Sequence, residues 1–161
     1  MSLDTRSFIG LTLYIAESVP ATNDAAGFEA LNWVLVDGLV TGPAFGVTHS
    51  AIDIPDLRTG FGKAVKGMGQ GMESPMTFSA KANDAGQTLI KQLAETGGGV
   101  GSVKIGWGSA ANEQLDEGDP VKYASGFFHT YQENPASADS YEGFEVTFRQ
   151  NAAHILATEP A

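Results

Sequence analysis

Apolar and polar residues alternate along most of this chain, and one stretch, Asn83–Gly97, switches to helical spacing. Asp84 can cap a helix, and Gln87 follows at the spacing of a capping box. Leu89, Ile90, Leu93 and Ala94 recur on one helical face, and Gly97 and Gly98 offer a left-handed stop. β-patterned residues flank this stretch on both sides. The pattern predicts one α-helix, at about residues 84–96, laid across a sheet and separating two β halves. With 161 residues and 42% hydrophobic content, the expectation is a single domain, 1–161. Its class is mainly β (α+β): a β-sandwich or partial barrel with that helix packed on it.

The alternation places the strands. Phe8–Glu17 turns Leu11, Leu13 and Ile15 to one face, and Ala25–Leu31 reads as a short helical turn capped by Asp24. Trp33–Val40 is a β run broken at Gly42-Pro43, and Phe45–Ile54 resumes the alternation until Pro55. Met72–Lys81 puts Met72, Met76, Phe78 and Ala80 on one face, and Ser102–Trp107 turns Val103, Ile105 and Trp107 inward. Val121–Gln132 is a long strand. Tyr141–Gln150 is the cleanest, with Phe144, Val146 and Phe148 alternating with Glu145, Thr147 and Arg149. The count comes to roughly seven or eight strands, with residues 155–161 left as a short C-terminal tail.

Pro55–Gly71 fits neither pattern. Glycines 60, 62, 67, 69 and 71 interleave with Arg58, Lys63 and Lys66, which reads as a long glycine-rich basic loop, 55–71. A structureless loop of that length inside a compact domain is disordered or functional.

Composition excludes several classes of function. The net charge is −10, so the basic footprint of a protein that grips nucleic acid is missing overall. The charge is uneven: Arg58, Lys63 and Lys66 stand against Asp56 alone. Ser109–Glu145 carries Glu113, Asp116, Glu117, Asp119, Glu133, Asp139, Glu142 and Glu145 against Lys122. The absence of cysteine removes disulfides and thiolate metal sites. No apolar run reaches the ~18 residues of a membrane span, and Phe8–Ala16, preceded by Arg6 and Asp4, does not read as a signal peptide.

Catalytic and cofactor motifs fail on their own chemistry. Gly62-Lys63 continues into Ala64 rather than Ser or Thr, and Leu57 stands where a P-loop needs its first glycine. Gly67-Met68-Gly69-Gln70-Gly71 runs into a strand, whereas a dinucleotide fingerprint opens a helix. His49, His129 and His154 have no metal-ligand spacing, and no glycine-flanked serine elbow accompanies them. Trp33 and Trp107 fall on inward faces and read as core. The expectation is a protein without enzymatic activity, cofactor or metal.

Pro20-Ala21-Thr22-Asn23-Asp24-Ala25-Ala26-Gly27-Phe28-Glu29-Ala30-Leu31-Asn32-Trp33 resembles the N-terminal signature of tail tube proteins of long, non-contractile-tailed bacteriophages. In that family the signature is followed by a β run and then by a helix opened by Asp-Ala-Gly-Gln. Here these are Val34–Val40 and Asp84-Ala85-Gly86-Gln87, so the order fits from Phe8 to Asn151. The resemblance implies a virion structural protein that forms hexameric rings stacked into a hollow tail tube. Inner strands of neighbouring subunits would join into a continuous β-barrel through which the genome is delivered. The implied partners are further copies of the chain and the tape-measure, tail-terminator and distal tail proteins. DNA would pass without specific binding, with no membrane insertion. The implied location is the virion tail, with assembly in the host cytoplasm.

Two surfaces follow as expectations. The basic stretch Arg58, Phe61, Lys63 and Lys66 is a candidate contact for Glu113, Asp116, Glu117 and Asp119 of another subunit. Thr48, Ser50, Thr77, Ser79, Glu145 and Thr147 are candidates to face the lumen, with strand register deciding which face that is. Other classes remain: a tail terminator or contractile-type inner tube subunit, a carbohydrate-binding β-sandwich presenting Phe127, Phe128 and Tyr131, and an acid-dependent hydrolase.

Overall fold

The computed structural model describes residues 5–108 and 115–160. The elements, in chain order, are β1 (Leu11–Ala16), α1 (Ala25–Glu29), β2 (Val34–Val36), β3 (Leu39–Thr41), β4 (Val47–Ile54) and β5 (Lys63–Gly71). They continue as β6 (Glu73–Ser79), α2 (Ala85–Glu95), β7 (Val100–Trp107), β8 (Pro120–Glu133), β9 (Gly143–Gln150) and β10 (Ile155–Thr158). The protein is mainly β and antiparallel. One sheet runs β2-β1-β7-β8-β9-β6-β3, with β10 beside the start of β8, and β4 and β5 form a separate two-stranded sheet. No described helix is long and apolar enough to cross a membrane.

The main sheet curls around its apolar face without closing into a barrel. Its edge strands β2 and β3 are joined through Asp37 and Gly38 yet do not pair with each other. Leu13, Ile15, Val103, Ile105, Phe128, Phe144, Val146 and Phe148 fill the inside together with Met76 and Phe78. Helix α2 covers the opening with Ile90 fully buried and Leu89, Leu93 and Ala94 packed around it, the stripe that its spacing predicts. Gly86 lets this helix lie directly on β2: a Cβ there would stand 2.3 Å from the carbonyl oxygen of Leu35.

Half of the expected capping box forms. The Asp84 carboxylate accepts from the amide of Gln87 at 2.9 Å. The Gln87 side chain does not return to the cap. Buried, its amide donates to Asp37 O and Ser79 O, both at 2.8 Å, while its oxygen accepts from Lys81 N at 3.0 Å. These backbone groups sit where the sheet edges end, and a buried amide with four capacities satisfies them better than an exposed cap would. The left-handed exit falls at Gly98 and Gly99, one residue later than expected.

The structure corrects other boundaries. Trp33–Val40 is two short strands on opposite sheet edges, divided at Gly38 with φ +78°. Met72 is exposed; Ser74, Met76 and Phe78 form the inward face of β6. The short helical turn expected after Asp24 forms as α1, ending at Glu29 rather than Leu31, and the Asp24 side chain caps it by accepting from Gly27 N. Residues 155–158 are a strand rather than a tail. After Gln150 the chain turns and resumes pairing along the same edge of β8, so Ile155 meets Tyr123 and Thr158 meets Pro120. Four residues of mixed type have too little period to show this; the free edge of the longer β8 decides it.

Candidate functional site

The largest correction is the stretch read as a glycine-rich loop. Only its first part turns; Lys63–Gly71 is β5, paired antiparallel with β4 from Ile54↔Lys63 to Val47↔Gly71. Both strands are open to solvent on both faces. With neither face buried, nothing selects an apolar alternation, so the strand leaves no period in the sequence. The glycines mark where side chains of β4 cross the partner strand. A Cβ at Gly67 would meet Ser50 Oγ at 2.4 Å, and one at Gly69 would meet His49 Nε2 at 2.7 Å.

The result is an arm. Its strand β4 has 8 residues, which at about 3.3 Å each span about 26 Å. Val47, Ile52, Ile54, Leu57, Phe61, Val65 and Met68 are exposed along it, Leu57 completely and Phe61 to 77%. The tip is ordered by its own turn: the Asp56 carboxylate accepts from Arg58 N at 3.0 Å, and Gly60 takes φ +67°. The base is held by Gln150, which is 2% exposed. Its side-chain oxygen accepts from Gly46 N at 2.7 Å, and its backbone N–H donates to Met72 O. Ala44 N donates to Ser74 Oγ beside them. An isolated two-stranded hairpin is marginal in water, and one with apolar side chains on open edges is a template for pairing.

Arg58, Phe61, Lys63 and Lys66 all lie on this arm, the first two at its tip. Among the described residues none of the three cations forms an ion pair. The acidic candidates lie in the connection from β7 to β8. Asp116 and Glu117 are in its turn, whereas Asp119 is buried and its carboxylate accepts from Asp116 N at 2.7 Å. Glu113 lies outside the described residues. Among the described residues no ion pair joins the two groups within one chain.

The lumen candidates sort by register. Glu73↔Arg149, Pro75↔Thr147, Thr77↔Glu145 and Ser79↔Gly143 are paired, so Thr77, Ser79, Glu145 and Thr147 share the face of β6 and β9 opposite the core. His129 of β8 joins them opposite Thr147. Its Nε2 lies 3.4 Å from Glu73, which also has Arg149 at 3.6 Å. Thr48 and Ser50 are on the arm. This face is polar and carries charges of both signs. At its C-terminal end β8 bulges at Thr130, φ 59°, which returns Tyr131 to the core side against Phe144. Phe128 is buried against Phe148, so the three aromatics proposed for sugar stacking do not form one platform.

The other end of that outer face is covered. Phe28 of α1 stacks on Tyr123 with ring centroids 5.0 Å apart, beside Trp33 and Ile155. Lys104, missed as a structural residue because a lysine in a strand reads as solvent-facing, is 4% exposed here. Its ammonium lies 3.1 Å from both Glu159 oxygens, 4.5 Å over the Tyr14 ring and 5.4 Å over Trp33. Burial pushes the Tyr123 phenol well above its ordinary range, and the negative charges of Glu159 and Glu29 add to it. A raised folded-state pKa leaves stability untouched below about pH 10 and erodes it as pH rises beyond. Alkaline titration followed by tyrosinate absorbance and circular dichroism should show Tyr123 ionising only together with unfolding. Replacing it by Phe should remove that part of the alkaline loss.

At the open mouth of the curled sheet lies an apolar groove of about 710 Å³, lined by Phe8, Ile9, Leu39, Val40, Phe45 and Lys122 among others. Phe8 stacks on Trp107 at its rim.

No protein-family model and no curated protein matches the chain. Solved structures do. The chain aligns with the sheath/tube terminator of an extracellular contractile injection system, PVC, in the extended state. The TM-score is 0.61 at 8% identity, covering 99% of both chains. A PVC sheath-tube complex in the extended state gives 0.58 at 9% identity over 94% of this chain and 88% of that one. The tube-terminating cap of the anti-feeding prophage gives 0.58 at 10% identity over 99% and 95%. At such identities the likeness is one of fold, over essentially the whole length.

Proposed function

We propose that this protein is a non-enzymatic structural subunit of a phage-type tail, assembling with copies of itself into the tube through which cargo leaves the particle. The observation that supports this most is the whole-length fold likeness to tube and terminator subunits, at 99% coverage of both chains for the terminator. The exposed arm adds physical support, because a solvent-exposed apolar hairpin calls for a partner. The finer reading is a hexameric ring, stacked into a tube, with inner strands joined into a continuous β-barrel. The arm and the uncovered face of β6, β8 and β9 then line or adjoin the bore, with Thr77, Glu145 and Thr147 toward the lumen. A face of mixed charge on a chain of net charge −10 gives DNA little to hold. The single domain belongs to this reading, as do the virion tail as location and the tape-measure, terminator and distal tail proteins as partners.

The sequence resembles tube proteins of non-contractile tails, while the solved neighbours belong to contractile systems. The fold likeness therefore supports a tail tube or terminator subunit of contractile type more than one of a non-contractile tail. A second reading, a terminator or cap that stops at one ring, is favoured by the terminator and cap structures among the neighbours. Negative-stain electron microscopy of the purified protein over a concentration series separates them. Hollow tubes are expected for a tube subunit and single rings for a terminator. A uniform monomer at every concentration would overturn both.

A further inference from the structure

Asp37-Gly38 is the one Asp-Gly pair in the sequence, and there is no Asn-Gly pair. It joins β2 to β3, the two sheet edges that do not pair with each other. Asp37 is exposed, and its side-chain Oδ1 accepts from Gly38 N at 2.9 Å. The Asp37 Cγ is one bond from that oxygen, which brings nitrogen and carbon to roughly the 3–3.5 Å separation of a near-attack pair. From this geometry we infer that Asp37 is a site of spontaneous isomerisation. In the folded protein the Gly38 amide closes on the Asp37 side chain, and the aspartate becomes isoaspartate.

The fold holds both partners in place. Asp37 N donates to Asp84 Oδ2 at 3.2 Å, and Asp37 O accepts from the Gln87 side chain at 2.8 Å. Gly38 O accepts from Ser79 N at 2.7 Å. The ordering that ring closure requires is thus supplied by folding itself. A side chain on the attacking residue would slow the closure by crowding its nitrogen, but none can be accommodated. Gly38 has φ +78°, and a Cβ there would stand 2.4 Å from Ser79 O and 2.7 Å from Gln87 Nε2. The position that must be glycine for packing is the one where glycine leaves the aspartate most open to attack.

The step balances without a co-reactant. Gly38 N gives up its proton and bonds to Cγ of the protonated carboxyl group, whose hydroxyl leaves as water. Water then adds back to the resulting succinimide. Opening at Cγ restores aspartate; opening at the main-chain carbonyl carbon leaves the chain running through Cβ and Cγ. The link between β2 and β3 is then longer by one methylene. The Asp37 carbonyl that Gln87 holds becomes part of a side-chain carboxylate.

The test compares folded protein with a sample kept unfolded in urea, both incubated at neutral pH. Electron-transfer mass spectrometry of the digests distinguishes isoaspartate from aspartate. The folded sample should accumulate isoaspartate at residue 37 at least as fast as the unfolded one, through a species lighter by one water. Asp53, exposed but followed by the β-branched Ile54, should lag behind it in the same sample. Asp37→Asn closes the same ring with loss of ammonia. Once circular dichroism shows this variant folded, it should convert faster still to aspartate and isoaspartate. A folded rate below the unfolded rate, in the parent or in Asp37→Asn, would overturn the inference. So would equal rates at Asp37 and Asp53, or no isoaspartate in either sample.

Discussion

Replacing Leu57 and Phe61 together by aspartate should abolish assembly while leaving the subunit folded. The argument rests on where these side chains are. Leu57 is fully exposed and Phe61 is 77% exposed, so folding of the single chain buries almost none of their apolar surface. Surface substitutions of that kind cost within about 0.5 kcal/mol, which shifts the melting temperature by only ~1–2 °C for a chain of this size. In a contact between copies the same side chains would each contribute about 1.5–3 kcal/mol on burial, and two buried carboxylates would add a desolvation cost of their own. Every copy in a tube repeats the loss. Calorimetry should therefore show an unchanged melting curve, and sedimentation and electron microscopy should show only unassembled protein. Tubes at the original critical concentration would sink the proposal that the tip is a contact. Lys63→Glu with Lys66→Glu makes a graded companion. Exposed pairs are worth at most about 1 kcal/mol each, so slower, less salt-dependent polymerisation is expected rather than none.

Glu159→Gln should act in the opposite way, on the fold first. Lys104 is buried in a strand of the main sheet, and its ammonium has Glu159 as its one carboxylate partner among the described residues. The side chains are only 5% and 18% exposed, so solvent screens the pair little. Removing the carboxylate leaves the cation against Tyr14 and Trp33, whose ring faces offset only part of its lost hydration. Breaking a buried pair in this way costs about 3–5 kcal/mol, or a drop on the order of 10 °C in melting temperature. The double replacement Lys104→Met with Glu159→Leu should recover most of it, since no charge is then stranded. Thermal unfolding of the three proteins checks this. A single variant within 1 kcal/mol of the parent would show that the pair is not what anchors the C-terminal strand β10.

Much of the core was legible from residue pattern. Phe144, Val146 and Phe148 are buried as their alternation requires, and so are Leu13, Ile15, Val103 and Ile105. In each case one face meets a core and the other meets solvent or a second layer, so burial writes a period into the residues. Helix α2 was legible for the same reason, at a different period. Of the six lumen candidates, Thr77, Ser79, Glu145 and Thr147 share one face by the β6–β9 register, while Thr48 and Ser50 lie apart on β4. Met72 shares the parity of Ser74, Met76 and Phe78 but precedes β6, and it stays exposed.

What the residues determined alone is the list of amphipathic segments, their caps and the excess of negative charge. Each depends on neighbours within a turn or a strand, and such short-range chemistry is carried by the sequence itself. Tertiary structure decided the rest. β5 has no period because the arm buries neither face, and β10 exists only because β8 outruns β9 and leaves an edge to pair. Gln87 and Gln150 became buried anchors because unpaired backbone groups of distant strands converge on them, and Lys104 became a core residue because Glu159 arrives from the far end of the chain. All of these are contacts between residues remote in sequence. No local pattern encodes them, and the arm on which assembly is proposed to depend is the clearest case.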